Sequence, residues 1–138
     1  MFHAKNYIKV TSLEEAYELN QKKSNAIIGG MLWLKMSNRN MQTAIDLSGL
    51  GLDQIEEQED AFSIGCMCTL RQLEMHEALT LYVGGAMKAC TRHIVGTQFR
   101  NGATVGGSIF GRFGFSDILT CLLALDTYVE LYHAGVIA

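Results

Sequence analysis

The chain has 138 residues, 49% of them hydrophobic and 18% charged, with 14 glycines, four cysteines and no proline. That size and composition suit one globular domain, or part of one, and exclude a disordered tail or a proline-rich linker. A formal charge of -3 lacks the basic excess of a sequence-independent nucleic-acid binder, and no stretch reaches the roughly 18 uncharged apolar residues of a membrane span. Nucleic acid and membrane are therefore not expected partners, and with no apolar leader near Lys5 and Lys9 the chain reads as cytoplasmic.

Tyr7, Ile8 and Val10 suggest a first strand. Ser12 followed by Glu15 has the form of a capping box, and Leu13, Ala16, Tyr17 and Leu19 recur at helical spacing, which predicts a helix over residues 12–23. Residues 26–28 are an apolar run stopped by Gly29 and Gly30, the pattern of a buried strand entering a tight turn, and the three elements together make a small βαβ unit. A further short strand is expected over 44–47, closed by Ser48, Gly49 and Gly51. Residues 53–60, with Glu56, Glu57, Glu59 and Asp60, read as a solvated acidic loop and as the boundary between two lobes, placed at residue 57.

Residues 61–68 alternate like a strand, and Thr69 with Gln72 forms a second capping box opening a helix over 70–77. Residues 84–96 are helical in tendency. Gly102, Gly106, Gly107, Gly111 and Gly114 punctuate 100–115 so densely that neither helix nor regular strand is expected there. Ser116 and Asp117 then cap a helix running to about Leu125, followed by a strand over 128–132.

The chemistry-bearing residues are sparse. Cys66, Cys68, Cys90 and Cys121 read as reduced thiols with no zinc-ligand spacing, and His3, His76, His93 and His133 are scattered. No metal site is expected. No nucleophile, base and acid share a recognisable spacing, so no catalytic residue is expected and any chemistry must come from a bound cofactor. The glycine turns at 27–30 and 103–108 leave backbone N–H groups uncovered by side chains, and two such turns facing one another are suited to hold a diphosphate. Neither matches the GxGxxG or GxxxxGK[ST] fingerprint. Asp117 reads by spacing as a helix cap or first-turn acid, the alternative being a carboxylate that accepts from sugar or ribityl hydroxyls. Arg100 and Arg112 flank the second turn, within reach of phosphate or solvated, while Trp33 with Met31, Leu32, Leu34 and Met36 reads as core packing.

The stretch 93–131, HIVGTQFRNGATVGGSIFGRFGFSDILTCLLALDTYVEL, resembles the signature of the FAD-binding domain of the molybdenum hydroxylases, the xanthine, carbon monoxide and nicotinate dehydrogenase type enzymes. Their usual form is IRN-x-ATIGGN, then SDL, then an LLALDAEVEL-like helix and strand. The resemblance extends backward through FSIGCMCTLRQLE at 62–74, the acidic loop, the strand ending in GG and the capped helix, in the family's order. It implies an α+β, two-lobed FAD-binding fold of the vanillyl-alcohol oxidase type, with residues 1–57 as the N-terminal lobe and 58–138 as the first part of an incomplete second lobe. By position, Ile28, Gly29, Gly30, Met31, Leu32 and Trp33 would run along the FAD, and Thr104, Val105, Gly106, Gly107 and Ser108 would meet its diphosphate. Asp117 would lie near a sugar and Ile94 close to the flavin.

The resemblance also implies the role. FAD in this family relays electrons from iron–sulfur clusters to NAD or another acceptor, so the partners would be a molybdenum-cofactor subunit and a 2Fe-2S subunit, and the chain would not be active alone. Family subunits run to about twice this length. Met31-Leu32 stands where the family has Thr-Asp, in a turn one residue shorter, Ser108 replaces an Asn, and the family's prolines around Asp117 are absent. These departures motivate an alternative: a truncated or degenerate domain that keeps the fold and a subunit-docking role without flavin, and that self-associates through an open second lobe.

Overall fold

The computed structural model describes residues 1–138. Strands β1 (His3–Lys9), β2 (Asn25–Ile28) and β3 (Asn40–Asp46) form a parallel sheet in the order β1-β3-β2, with α1 (Leu13–Asn20) as the crossover. Both outer strands register on the central one at the same place, Ile8 and Ile27 opposite Ile45. Neighbouring residues of a strand face opposite sides. Ile45 accordingly packs with Val10, Ala16 and Leu47 under α1, while Ala44 packs with Ile28 and Met41 on the other face. Ser12 caps α1 as expected, its Oγ accepting from the Glu15 amide at 3.1 Å, and Glu15 reaches back to the Thr11 amide at 2.8 Å.

The acidic segment is not simply a loop. Strands β4 (Ile55–Glu57) and β5 (Phe62–Ile64) pair antiparallel across it, Glu57 opposite Phe62, with only the tip left as a turn. The strand expected over 61–68 stops at Ile64 because Gly65 is pressed against the Leu52 carbonyl and the chain turns through Cys68 into α2 (Leu70–Met75). The Thr69–Gln72 capping box that opens α2 is complete. Short helices α3 (Glu77–Tyr82) and α4 (Ala86–Thr91) follow, α4 covering only part of the 84–96 expectation.

The glycine-dense segment is helical, contrary to its composition. Residues Thr97–Gly102 form α5 and Val105–Gly111 form α6, followed by α7 (Asp117–Leu123) and a terminal hairpin of β6 (Val129–Leu131) and β7 (Gly135–Ile137). Tertiary contacts override the low helix propensity of glycine here: Gly106 sits against Cys66, where a Cβ would lie 2.8 Å from the Cys66 Cβ and carbonyl oxygen. Cys68, Leu70, Leu73, Leu79, Met87, Val105 and Ile118 form the largest core cluster. The terminal hairpin reaches back to the first sheet's helix, with the Tyr132 hydroxyl donating to Glu14 at 2.7 Å.

Arg100, expected near phosphate or in solvent, is buried instead. Its Nε donates to Glu74 Oε2 at 2.8 Å and its Nη1 to the Ile94 carbonyl at 3.1 Å, tying α5 to α2 and to the loop after α4. Arg71 also reaches Glu74, at 2.8 Å. Hydrogen bonds from Arg71 first, then from Arg100, hold the Glu74 carboxyl below the ordinary carboxylate range against the opposing effect of its burial. No helix is long and apolar enough to cross a membrane.

Candidate functional site

The buried end of β2 at Ile28 delivers the chain into Gly29, Gly30, Met31, Leu32 and Trp33. None of the amides of residues 29–33 donates to an acceptor within the chain; the next bond in the turn is the Lys35 amide to the Met31 carbonyl at 2.9 Å. Met31 holds the left-handed region at φ 60°, an uncommon and strained conformation for a side-chain-bearing residue. The turn lies directly on the second one. A Cβ on Gly29 would stand 2.5 Å from Thr104 Oγ1, a Cβ on Gly30 would collide with the Gly102 carbonyl, and Gly102 itself meets the Leu32 side chain. Glycine at 30 is thus required by backbone-to-backbone approach.

In the second turn every amide from Ala103 to Ser108 except that of Thr104 donates within the chain. Thr104 caps α6, its Oγ1 accepting from the Gly107 amide at 3.2 Å, while the Val105 and Gly106 amides each bond at 2.8 Å, to the carbonyls of Cys68 and Cys66. The Ser108 amide and hydroxyl both go to the Thr104 carbonyl. Thr104 and Val105 are buried, and Gly107 is exposed. The structure therefore brings the two turns together as the sequence suggests, but concentrates the free donors in the first.

Trp33 is not core: it is 47% exposed and stands among Phe99, Phe113 and Phe115 with ring centroids 5.8, 6.0 and 6.0 Å away. Phe113 and Phe115 stack on each other at 5.2 Å. The result is an aromatic wall beside the unpartnered amides. Arg112 lies 6.0 Å over the Phe110 ring. Ile94, half-buried, packs on the main core next to Val95, which is left-handed at φ 49° although β-branched.

Asp117 occupies the first position of α7, whose cap is Ser116, the Ser116 Oγ accepting from the Leu119 amide at 3.2 Å. It opens on a cleft of about 530 Å³ between α4 and α7, lined also by Cys90, His93, Thr120 and Cys121, and no residue of either glycine turn lines that cleft. No group of three or more His, Cys, Asp or Glu side chains is placed to hold a metal ion. The strain at Met31 and Val95, the pairing of Arg100 and the division of free and engaged amides had no signal in the sequence beyond the glycines themselves.

Residues 2–136 match the family described as the FAD binding domain in molybdopterin dehydrogenase. The chain belongs to this family. It is 33% identical over 131 residues to the nicotine 6-hydroxylase medium subunit of Paenarthrobacter nicotinovorans, covering 91% of this chain and 46% of that protein. It is 27% identical over 124 residues to the protein YgfM of Escherichia coli K12, covering 87% of this chain and again 46% of the relative. The chain thus spans about half the length of the curated relatives it matches. The fold matches that in the cyanide-inactivated Cu,Mo-CO dehydrogenase structure with a TM-score of 0.82 at 19% identity, covering 97% of this chain and 49% of that one. Carbon monoxide dehydrogenase from Hydrogenophaga pseudoflava gives 0.81 at 21% identity, with 96% and 48% covered. At that identity the likeness establishes the shared mixed α/β fold. FAD is the cofactor after which the family is described.

Proposed function

We propose that the chain binds FAD as the flavin domain of a molybdenum hydroxylase or dehydrogenase. The observation that carries this reading is the run of unpartnered amides at residues 29–33, seated on the second glycine turn and flanked by the Trp33, Phe99, Phe113 and Phe115 rings. Backbone amides suit a diphosphate because they donate without side-chain charge, and aromatic faces suit planar heteroaromatic rings. The first turn would supply the diphosphate donors. The second, with Thr104, Val105, Gly106, Gly107 and Ser108, would supply shape: Gly106 seats α6 against Cys66, Gly107 presents no side chain on its exposed side, and the Thr104 cap fixes the turn. Asp117 would accept from a sugar hydroxyl and Ile94 would pack near the flavin.

FAD bound there supplies reversible electron transfer between a partner's iron–sulfur clusters and an acceptor such as NAD. The residues of this chain contribute binding, orientation and exclusion of water. On this reading the two lobes of the vanillyl-alcohol oxidase type fold divide at residue 57, the working partners are a molybdenum-cofactor subunit and a 2Fe-2S subunit, and the complex acts in the cytoplasm.

Equilibrium dialysis of the purified chain against FAD tests the reading, with Gly107→Leu as the probe of the second turn. Retained flavin in the parent chain and loss in the variant are expected. No uptake by the chain, nor by a complex assembled with its partner subunits, would overturn it. That result would favour the alternative of a docking domain without flavin, for which the absence of polar side chains at Met31 and Leu32 and the exposure of Leu81 (81%) and Leu123 (85%) are the supporting observations.

A further inference from the structure

Helices α4 and α7 lie side by side, and each contributes one cysteine to the cleft between them: Cys90 from α4 and Cys121 from α7. Both thiols are half-buried and free, and neither has a part in the proposed flavin site. The Cys90 sulfur donates to the Met87 carbonyl at 3.2 Å, which turns it along the face of α4, and both thiols line the same cleft. Two thiols on neighbouring packed helices, reached through one open cleft, are placed to pair covalently where side-chain rotation brings the sulfurs within bonding distance.

We propose that Cys90 and Cys121 form a paired-thiol modification site, at which a hydroperoxide closes a disulfide joining α4 to α7. In the first step the Cys121 sulfur attacks the peroxide, the O–O bond breaks, and the products are a Cys121 sulfenic acid and water (or an alcohol). In the second step the Cys90 sulfur attacks the Cys121 sulfur; the S–S bond forms, the S–O bond breaks, and the departing hydroxide takes the Cys90 proton as water. Each sulfur loses one electron and the peroxide gains two. The order follows from the surroundings of the two groups. The Cys90 proton is held on the Met87 carbonyl and burial pushes the Cys90 thiol up, so Cys90 is the resolving partner rather than the first to react. The exposed Cys66 and the core residue Cys68 lie on the segment before α2 and do not line this cleft.

The experiment treats the folded chain with excess hydrogen peroxide, follows the fold by circular dichroism, and maps cysteines by non-reducing digestion and mass spectrometry. A single cross-linked peptide pair holding Cys90 and Cys121, reversed by dithiothreitol, is expected while the fold persists. The single variants Cys90→Ser and Cys121→Ser should each abolish it, and dimedone should then label Cys121 in the Cys90→Ser chain. The reading is overturned if the folded chain yields only Cys66–Cys68 or intermolecular bridges, if both cysteines are over-oxidised without pairing, or if the pair links only after denaturation. Because no outcome depends on flavin, the result stands apart from the proposed function.

Discussion

The two glycine turns have similar sequences, IIGG and VGGS, and opposite hydrogen-bond accounts. In the first, the amides of residues 29–33 find no acceptor in the chain; in the second, those of Val105, Gly106 and Gly107 are all engaged, by Cys68, Cys66 and the Thr104 cap. The glycines therefore serve different ends. Gly30 lets one backbone rest on another at Gly102, and Gly106 lets α6 press against Cys66, whereas Gly107 is open on its outer side. Glycine density marks places where the backbone comes close to something, and only the hydrogen-bond partners tell whether that something is the protein itself or a site left for a ligand.

That contrast is broken most severely through its support. Arg100→Ala strips the buried Glu74 of one of its two arginine partners and loosens α5, which ends at Gly102; a loss of about 3 kcal/mol is expected by denaturant unfolding. The same pair sets an acid limit. Glu74 is held below its ordinary value of 4.5, so its contribution is full above that pH and falls away as the pH drops through the lowered folded-state value. Glu74→Gln should flatten this part of the stability profile, measured as the melting temperature between neutral and acid pH. An unchanged profile in the variant would assign the acid transition to other carboxylates.

Gly30→Ala drives a Cβ into the Gly102 carbonyl and should destabilise the chain by about 3 kcal/mol, with loss of flavin uptake. Adjacent positions in α6 then separate sharply. Gly106→Ala meets the Cys66 backbone and should cost about 2 kcal/mol in thermal unfolding. Gly107→Ala meets only Thr104 Oγ1 at 3.0 Å, and with the gain in helix propensity, up to about 1 kcal/mol, it should leave the melting temperature unchanged or raised. Equal effects at the two positions would mean that α6 does not sit on Cys66 as described. Thr104→Ala removes the cap from Gly107 for about 1 kcal/mol. The smallest stability effect is expected from Asp117→Asn, within about 0.5 kcal/mol. Its role is read instead from weakened FAD binding, and unaltered affinity would remove Asp117 from the site.

Much of the plan was legible in the residues. Ser12, Thr69 and Ser116 announce three helices because a capping side chain acts on amides two or three residues away, a purely local interaction. The βαβ unit follows from the apolar runs at its strands, and the pairing of the two turns from their shared shape and the family resemblance. Residues 100–115 were illegible for the opposite reason. Propensity reads their glycines as breaks, yet α5 and α6 form because Arg100 is anchored on Glu74 and Gly106 on Cys66, partners distant in sequence. Trp33 likewise sits in an apolar run that reads as core, and only its neighbours Phe99, Phe113 and Phe115 place it on an open wall.

By itself the sequence determined the family, the order of elements and the two glycine turns, since each is written in local pattern. The tertiary structure decided which amides are free, where Arg100 goes and which thiols share a cleft. Those are questions of non-local partnership: a donor is available only when no acceptor from elsewhere in the chain has been folded against it, and the chain must close before that can be read.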